Sequence, residues 1–100
     1  MILEDGRVVG TASIGQLGTV LRIAAPGIAD QARAGQFVHV RPGLSFDPLL
    51  RRPYSFNRID RGDGEIELIV KALGAGGEWI ASRREGDRLD LLGPLGSSSC

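Results

Sequence analysis

The sequence predicts an all-β fold, a small six-stranded antiparallel barrel or sandwich, and three observations indicate it. The 100 residues include 15 glycines and 5 prolines, so turns are frequent and the elements between them are short. Several of these short segments are β-branched or alternate apolar with polar side chains, as half-buried strands do. They follow one another at the even spacing that is typical of small barrels and sandwiches.

The six predicted strands cover residues 7–16, 19–24, 36–41, 54–59, 65–73 and 88–92. The first is β-branched but is interrupted by glycines, and the second places Val20 and Ile23 on either side of a polar residue. The third alternates strictly, with Val38 and Val40 on one face and polar or aromatic residues on the other. The fourth is short and aromatic, and the fifth begins by alternating and becomes fully apolar at Leu68.

The segments between the strands carry turn and helix signals. Pro26 and Gly27 predict a stop, and one helical turn is expected just after them. Residues 44–50, with Pro48, are expected to form an irregular loop. Glycine and aspartate content predicts a turn at residues 61–64. The one clear helix is predicted over residues 78–85, after a glycine loop.

Composition and charge weigh against several classes of function. The charge is balanced, with 12 basic and 12 acidic residues, which disfavours nucleic-acid binding. No apolar run approaches the ~20 residues of a membrane span, and the N-terminus turns acidic at Glu4, so we expect a cytoplasmic protein without membrane contact. The single cysteine, Cys100, and the single histidine, His39, leave this chain unable to build an iron–sulfur or paired-histidine site.

A first candidate site is the segment from Arg51 to Ser55. Two guanidinium groups, which suit bidentate phosphate contacts, precede Pro53 and the only tyrosine, Tyr54, which offers a flat face for stacking. The Ser55 hydroxyl can donate or accept a hydrogen bond. Together these groups fit a phosphorylated planar ligand. A strand that begins with solvated arginines and a half-buried tyrosine would give the same pattern.

A second candidate site is Lys71 followed by the glycines at positions 74, 76 and 77. A strand, a glycine loop and a helix start can present backbone N–H groups to an anion. The segment is not the dinucleotide G-x-G-x-x-G motif, because Trp79 stands where that motif needs glycine. A flexible strand-to-helix turn is the alternative interpretation. Trp79 is expected to cover the barrel end.

The order of four motifs resembles the FAD-binding domain of the ferredoxin–NADP reductase superfamily. The motifs are Gln-Phe-Val-x-Val-Arg-Pro, Arg-Pro-Tyr-Ser, Val-Lys-Ala-Leu-Gly-Ala-Gly-Gly and Gly-Asp-Arg-Leu-Asp-Leu-Leu-Gly-Pro-Leu-Gly. Within the superfamily, the closest resemblance is to the electron-transfer subunit of dihydroorotate dehydrogenase. The match extends over residues 6–96. It implies a six-stranded antiparallel Greek-key barrel with one short capping helix, the ferredoxin reductase-type FAD-binding barrel.

The resemblance also implies roles for individual residues. Arg52 would hold the FAD pyrophosphate, Pro53 and Tyr54 would lie along the isoalloxazine ring, and Ser55 would sit at the reactive edge of that ring. The remaining implied cofactor-binding residues are Ile69, Val70 and Lys71 along the ribityl and phosphate chain, and Gly76 and Gly77 at the pyrophosphate. The family usually has threonine where Gly77 stands, so one hydroxyl contact is absent here.

The resemblance implies a larger protein as well. Residues 1–96 are expected to be the FAD-binding barrel and residues 97–100 a tail, with a nucleotide-binding lobe for NAD(H) and a [2Fe-2S] centre belonging to the full-length protein. The implied partner is a catalytic dehydrogenase subunit in a hetero-oligomer of pyrimidine biosynthesis, and the 100 residues alone are not expected to oxidise NADH efficiently. A related ferredoxin, flavin or hydrogenase reductase subunit, or a flavin-free interaction barrel, is the alternative.

Overall fold

The computed structural model describes residues 1–43 and 51–96, and these form six strands and two helices around one core. The strands are β1 (Ile2–Ser13), β2 (Thr19–Ala24), β3 (Phe37–Arg41), β4 (Arg52–Asp60), β5 (Glu65–Val70) and β6 (Arg88–Leu95). The helices are α1 (Pro26–Gln31) and α2 (Gly74–Ala81), and a 3₁₀ turn covers Gly15–Leu17. The predicted loop over residues 44–50 and the tail over residues 97–100 lie outside the described residues.

The six strands close into an antiparallel barrel in the order β1-β2-β5-β4-β3-β6. β2 pairs with β5, and β3 pairs with β6, so two connections cross the barrel as in a Greek key. β1 closes the ring because its first half pairs with β6 and its second half pairs with β2. The expected six-stranded antiparallel barrel is therefore confirmed.

The core consists of the inward faces of the strands. Val38 and Val40 are fully buried, as the strict alternation of β3 predicted. Leu21, Leu68 and Leu91, from three other strands, are equally buried. The described residues include no buried polar or charged residue, so the core is held by apolar packing.

Three strands extend beyond their predicted ends: β4 by two residues at its start and one at its end, and β1 and β6 by more. β1 begins at Ile2 rather than at residue 7, because residues 2–7 pair with β6. β6 continues to Leu95 through a cis bond between Gly93 and Pro94, and it pairs with Phe37 there. In both cases the long-range pairing overrides a local sequence of acidic, glycine and proline residues that disfavours a strand.

The helix boundaries also correct the sequence prediction. α2 begins at Gly74, inside the segment predicted to be a loop, and it ends at Ala81 rather than at residue 85. Glycine disfavours a helix interior in isolation, but Gly76 and Gly77 are buried here against neighbouring chain. Pro26, predicted to be a stop, opens α1 at a first helical position, where its missing N–H costs nothing. Neither helix has the length and apolar character needed to cross a bilayer.

Glu4, on β1, supplies the N-terminal cap of α1. Its two carboxylate oxygens accept hydrogen bonds from the backbone N–H groups of Gly27 (3.1 Å) and Ile28 (2.8 Å). The residue that precedes the helix, Ala25, has no side chain that can cap it.

Replacing Glu4 by glutamine should lower the free energy of unfolding by about 1 kcal/mol, since an amide has only one acceptor oxygen for two orphan donors. Chemical denaturation measures the change. The control is Asp5→Asn on the same strand, which breaks only an exposed 3.3 Å ion pair with Arg88 and should cost little. Equal effects of the two variants would contradict the capping role.

Candidate functional site

An open groove crosses the surface where β4 and β5 meet the start of α2. It has a volume of about 330 Å³. Its walls are formed by Arg52, Pro53, Tyr54, Ile69, Lys71 and Leu73. A second groove of about 320 Å³ continues along β4 past Ser55 and Asn57 and shares Pro53, Tyr54 and Ile69 with the first. We call these the central groove and the β4 groove.

The Arg52 guanidinium lies directly against the first turn of α2. A Cβ atom added to Gly76 would be 2.9 Å from Arg52 Nε and 3.1 Å from Nη2, and one added to Gly74 would be 3.7 Å from Nη2. A side chain at position 76 would therefore displace the guanidinium. The two motifs that the sequence singled out separately thus meet at one place.

The first turn of α2 has no side-chain cap. Leu73 precedes the helix and makes no capping hydrogen bond, and Gly74 adopts the left-handed conformation, with φ of +69°, which glycine tolerates well. The N–H groups of a first helical turn have no partner within the helix. Together with the Arg52 cation, they make an electropositive corner suited to a phosphate.

Gly77 brings α2 close to the end of β5. A Cβ atom at this position would lie 2.9 Å from the backbone oxygen of Lys71. The threonine that the family usually has here would need the helix and strand to move apart.

Tyr54 and its neighbours form the wall on the β4 side. Tyr54 packs partly against the core, while Pro53 and Ser55 are exposed on the outer face. Burial raises the pKa of the Tyr54 phenol above its usual 10.0, and the positive charge of Arg52 acts in the opposite direction. The phenol therefore stays protonated through neutral pH.

Replacing Arg52 by alanine should raise the pKa of Tyr54 further, because the charge that opposes the effect of burial is removed. Tyr54 is the only tyrosine in the chain, so a pH titration of tyrosinate absorbance reports on it alone. In the wild-type protein the folded state holds this proton more tightly than the unfolded chain, so the free energy of unfolding falls as pH rises above about 10. A lower pKa in the variant would contradict this arrangement.

The β5 residues of the predicted site differ in what they offer. Ile69 is 38% exposed, whereas Val70 is fully buried in the core. Val70 can therefore face a ligand only through its backbone. Lys71 is exposed on the wall of the central groove.

Arg51 does not join the groove, although it stands beside Arg52 in the first candidate motif. It donates to the Asp90 carboxylate at 2.9 Å and to the Asp90 backbone oxygen at 3.3 Å. Arg51 thus ties the start of β4 to β6.

Trp79, expected to cover the barrel end, packs against the core. The Arg83 guanidinium lies 3.9 Å from the centre of its ring.

Sequence reasoning does not identify Leu73 as a groove residue, because the pattern predicts it to be the last residue of an apolar strand. Leu73 is 69% exposed and lines the central groove. The signal was present in the alternation of β5, since Leu68 and Val70 face inward while Ile69 faces outward. Continuing that alternation places positions 71 and 73 on the outer face.

The fold and the groove define a class of protein, the ferredoxin reductase-type FAD-binding barrel. A solved structure of an NADH-dependent reduced ferredoxin–NADP oxidoreductase, described for flavin-based electron bifurcation, superposes with a TM-score of 0.85. The match covers 94% of this chain and 33% of that chain, with 27% sequence identity. No family model matches the sequence.

Within that class, the curated relatives are electron transfer subunits of dihydroorotate dehydrogenase B (NAD(+)). The subunit from Desulforamulus reducens is 39% identical over 92% of this chain and 35% of its own length. The subunit from Geobacillus thermodenitrificans is 37% identical over 93% of this chain and 36% of its own length. The resemblance inferred from the four motifs is confirmed, and the chain spans about a third of the length of these two relatives.

Proposed function

We propose that the chain is the FAD-binding electron-transfer module of an NAD(P)H-linked oxidoreductase. One observation carries the proposal: the Arg52 guanidinium is seated on the first turn of α2, beside a groove walled by Tyr54 and Ile69. A cation and uncapped helix amides next to a flat aromatic wall match a ligand that has a phosphate chain and a planar ring.

The residues present fit FAD. Any side chain at position 76 would occupy the space of the Arg52 guanidinium. Because this residue is glycine, Arg52 can lie at the corner where a phosphate would bind. In this proposal, Arg52, Lys71 and the N–H groups of Gly76 and Gly77 hold the pyrophosphate. Bound FAD would supply the redox chemistry, whereas the protein positions the flavin and adjusts its electronics.

The β4 groove and the outer face of β5 complete the proposed site. Pro53 and Tyr54 lie along the flavin ring, and the exposed Ser55 offers its hydroxyl to the reactive edge. Ile69 contributes an apolar side chain beside the ribityl chain. Val70, being buried, contributes backbone atoms only.

For the whole protein we propose the electron-transfer subunit of a cytoplasmic dihydroorotate dehydrogenase, acting in pyrimidine biosynthesis. The relatives that carry this name are about 40% identical over most of the chain. NAD(H) and a [2Fe-2S] centre would belong to regions outside these 100 residues, and the partner would be a catalytic dehydrogenase subunit in a hetero-oligomer. A related reductase or hydrogenase subunit would use the same barrel with a different partner.

The deciding experiment is a titration of the purified chain with FAD, followed by flavin fluorescence and visible absorbance. Saturable binding supports the proposal. A folded, colourless chain that ignores FAD would overturn it in favour of a flavin-free interaction barrel. The same preparation should not oxidise NADH rapidly, since the proposal places the nucleotide site outside this chain.

A further inference from the structure

The single histidine of the chain, His39, lies on the outer face of β3 beside the proposed flavin site. It is half-buried and stands between Val38 and Val40, which are fully buried, so its side chain points away from the core. Its partner on β4 is Pro53, which lines both the central groove and the β4 groove. His39 is therefore one strand away from the wall along which the proposed site places the flavin ring.

Phe37 lies on the same face of β3 and continues this side of the site. It pairs with Ser55 on β4, and its ring centre lies 5.4 Å from that of His39. The Cβ atoms of directly paired residues on neighbouring strands are about 4.5–5.5 Å apart. At that distance from Pro53, a charge on the imidazole acts electrostatically on a ring held against Pro53.

The charged groups around His39 are engaged with one another. Arg41 follows His39 on the outer face of β3, and Asp90 is the partner of Arg41 on β6. Asp90 forms ion pairs with Arg41 (3.7 Å) and with Arg51 at the start of β4 (2.9 Å). Arg52, the next cation on β4, lies against α2 instead. Asp90 thus has two cations as partners and does not depend on His39.

His39 itself has no polar partner in the part of the chain that the structure describes. No side-chain hydrogen bond or ion pair among residues 1–43 and 51–96 includes its imidazole. The residues that pair with it, Pro53 on β4 and Leu92 on β6, are uncharged. The imidazole can therefore gain or lose a proton without breaking any of these bonds.

Among the described residues that border the proposed ring, histidine is the one type that responds near neutral pH. An imidazole ordinarily changes charge between about pH 5 and 8, whereas arginine and lysine keep their protons. Tyr54 keeps its proton as well, because burial raises the pKa of its phenol above 10.0. A change of charge on this wall at neutral pH thus has to come from His39.

We propose that His39 takes up a proton when the bound flavin is reduced, an inference that rests on the proposed function. Two electrons and one proton, the content of a hydride from NAD(P)H, leave one negative charge on a flavin ring. His39 balances that charge with a second proton taken from solvent, which forms one N–H bond on the imidazole and breaks no bond in the protein. The imidazolium then favours the reduced state, because opposite charges attract across the wall. His39 acts on the ring from beyond Pro53 and is not a catalytic residue.

The first test follows His39 directly by NMR. Because the chain has one histidine, the imidazole Cε1–H resonance is a single signal. It is titrated with pH in the FAD-loaded wild-type chain, first oxidised and then fully reduced with dithionite. We expect the midpoint of the titration to rise by about one pH unit on reduction, the effect of one nearby negative charge. An unchanged or lower midpoint would overturn the inference.

The second test measures the two-electron potential of the bound flavin at about pH 5.5 and about pH 9, below and above the usual histidine range. In His39→Gln the potential should fall by about 30 mV at the lower pH, which corresponds to a tenfold change in a two-electron equilibrium, and should not change at the higher pH. His39→Lys, which carries a charge at both pH values, should exceed the wild type at the higher pH. Arg41→Gln is the matched control, since it removes a positive charge from the same face of β3; its effect should be small and equal at the two pH values.

The outcomes separate the inference from the proposed function. A fall in His39→Gln that is confined to the lower pH, together with the NMR shift, supports the inference. An equal fall at both pH values would indicate a merely structural effect of the substitution and would overturn it, while the flavin site stands. Failure of the folded wild-type chain to bind FAD overturns the proposed function and the inference together.

Discussion

Replacing Arg52 by alanine should weaken FAD binding by roughly ten- to a hundredfold. The expected loss corresponds to one or two charge-assisted hydrogen bonds to phosphate, each worth about 1.5–3 kcal/mol before solvent screening. Among residues 1–43 and 51–96, no carboxylate forms an ion pair with Arg52. Within that part of the chain, the Arg52 charge is therefore available to bind a phosphate. A fluorescence titration of the folded variant measures the change.

Arg51→Ala is the matched control for this prediction. It also removes one positive charge, but the Arg51 guanidinium forms an ion pair with Asp90 on β6, with 2.9 Å between Nη2 and Oδ1. We expect a loss of stability of about 1 kcal/mol and an FAD affinity close to that of the wild type. Equal losses of affinity in the two variants would mean that the net positive charge of this region, rather than the position of Arg52 against α2, attracts the ligand.

Replacing Gly77 by threonine should lower the free energy of unfolding by about 1–3 kcal/mol. The new Cβ would lie 2.9 Å from the Lys71 backbone oxygen, and backbone atoms cannot turn aside as a flexible side chain can. Chemical denaturation measures the change. Threonine is the usual residue in the family, but in this chain the backbones of α2 and β5 lie too close together at position 77 to leave room for its side chain.

Ala75→Thr is the control for Gly77→Thr, because position 75 lies in the same helical turn, is exposed and already carries a Cβ atom. Both variants introduce the same β-branched side chain into α2. Helix propensity alone favours Gly77→Thr over Ala75→Thr, because glycine is a poorer helix former than alanine. The prediction requires the change at position 77 to cost clearly more. Similar costs would show that α2 and β5 separate easily.

The local sequence pattern predicted the strands whose own residues favour an extended conformation. β2 has the predicted bounds, and Val38 and Val40 of β3 face the core as their alternation required. The start of β1 and the end of β6 escaped prediction, since only their pairing with distant strands makes them extended. The beginning of α2 escaped for a similar reason, because burial against β5 and Arg52 stabilises a glycine-rich turn that alone would be a loop.

For the site, the sequence predicted the residue types but not which of them meet. The order of motifs pointed to Arg52 and to the glycines at 76 and 77, and the fold brings Arg52 and Gly76 into contact. Residue chemistry alone could not separate Arg52 from Arg51, because that difference depends on Asp90, nearly forty residues away along the chain. The roles given to Pro53, Tyr54, Ser55, Ile69, Val70 and Lys71 remain predictions until a flavin titration tests them.

β1 pairs with both β2 and β6, and this gives its first residues a structural role that their acidic composition does not suggest. Residues 2–7 close the barrel by pairing with β6, so they are part of the fold. A chain cut back to Arg7 would leave β6 with a row of unpaired N–H and C=O groups on one side. Such an open edge is a template for pairing with another chain, so trimming would create a self-associating edge where the barrel is now closed.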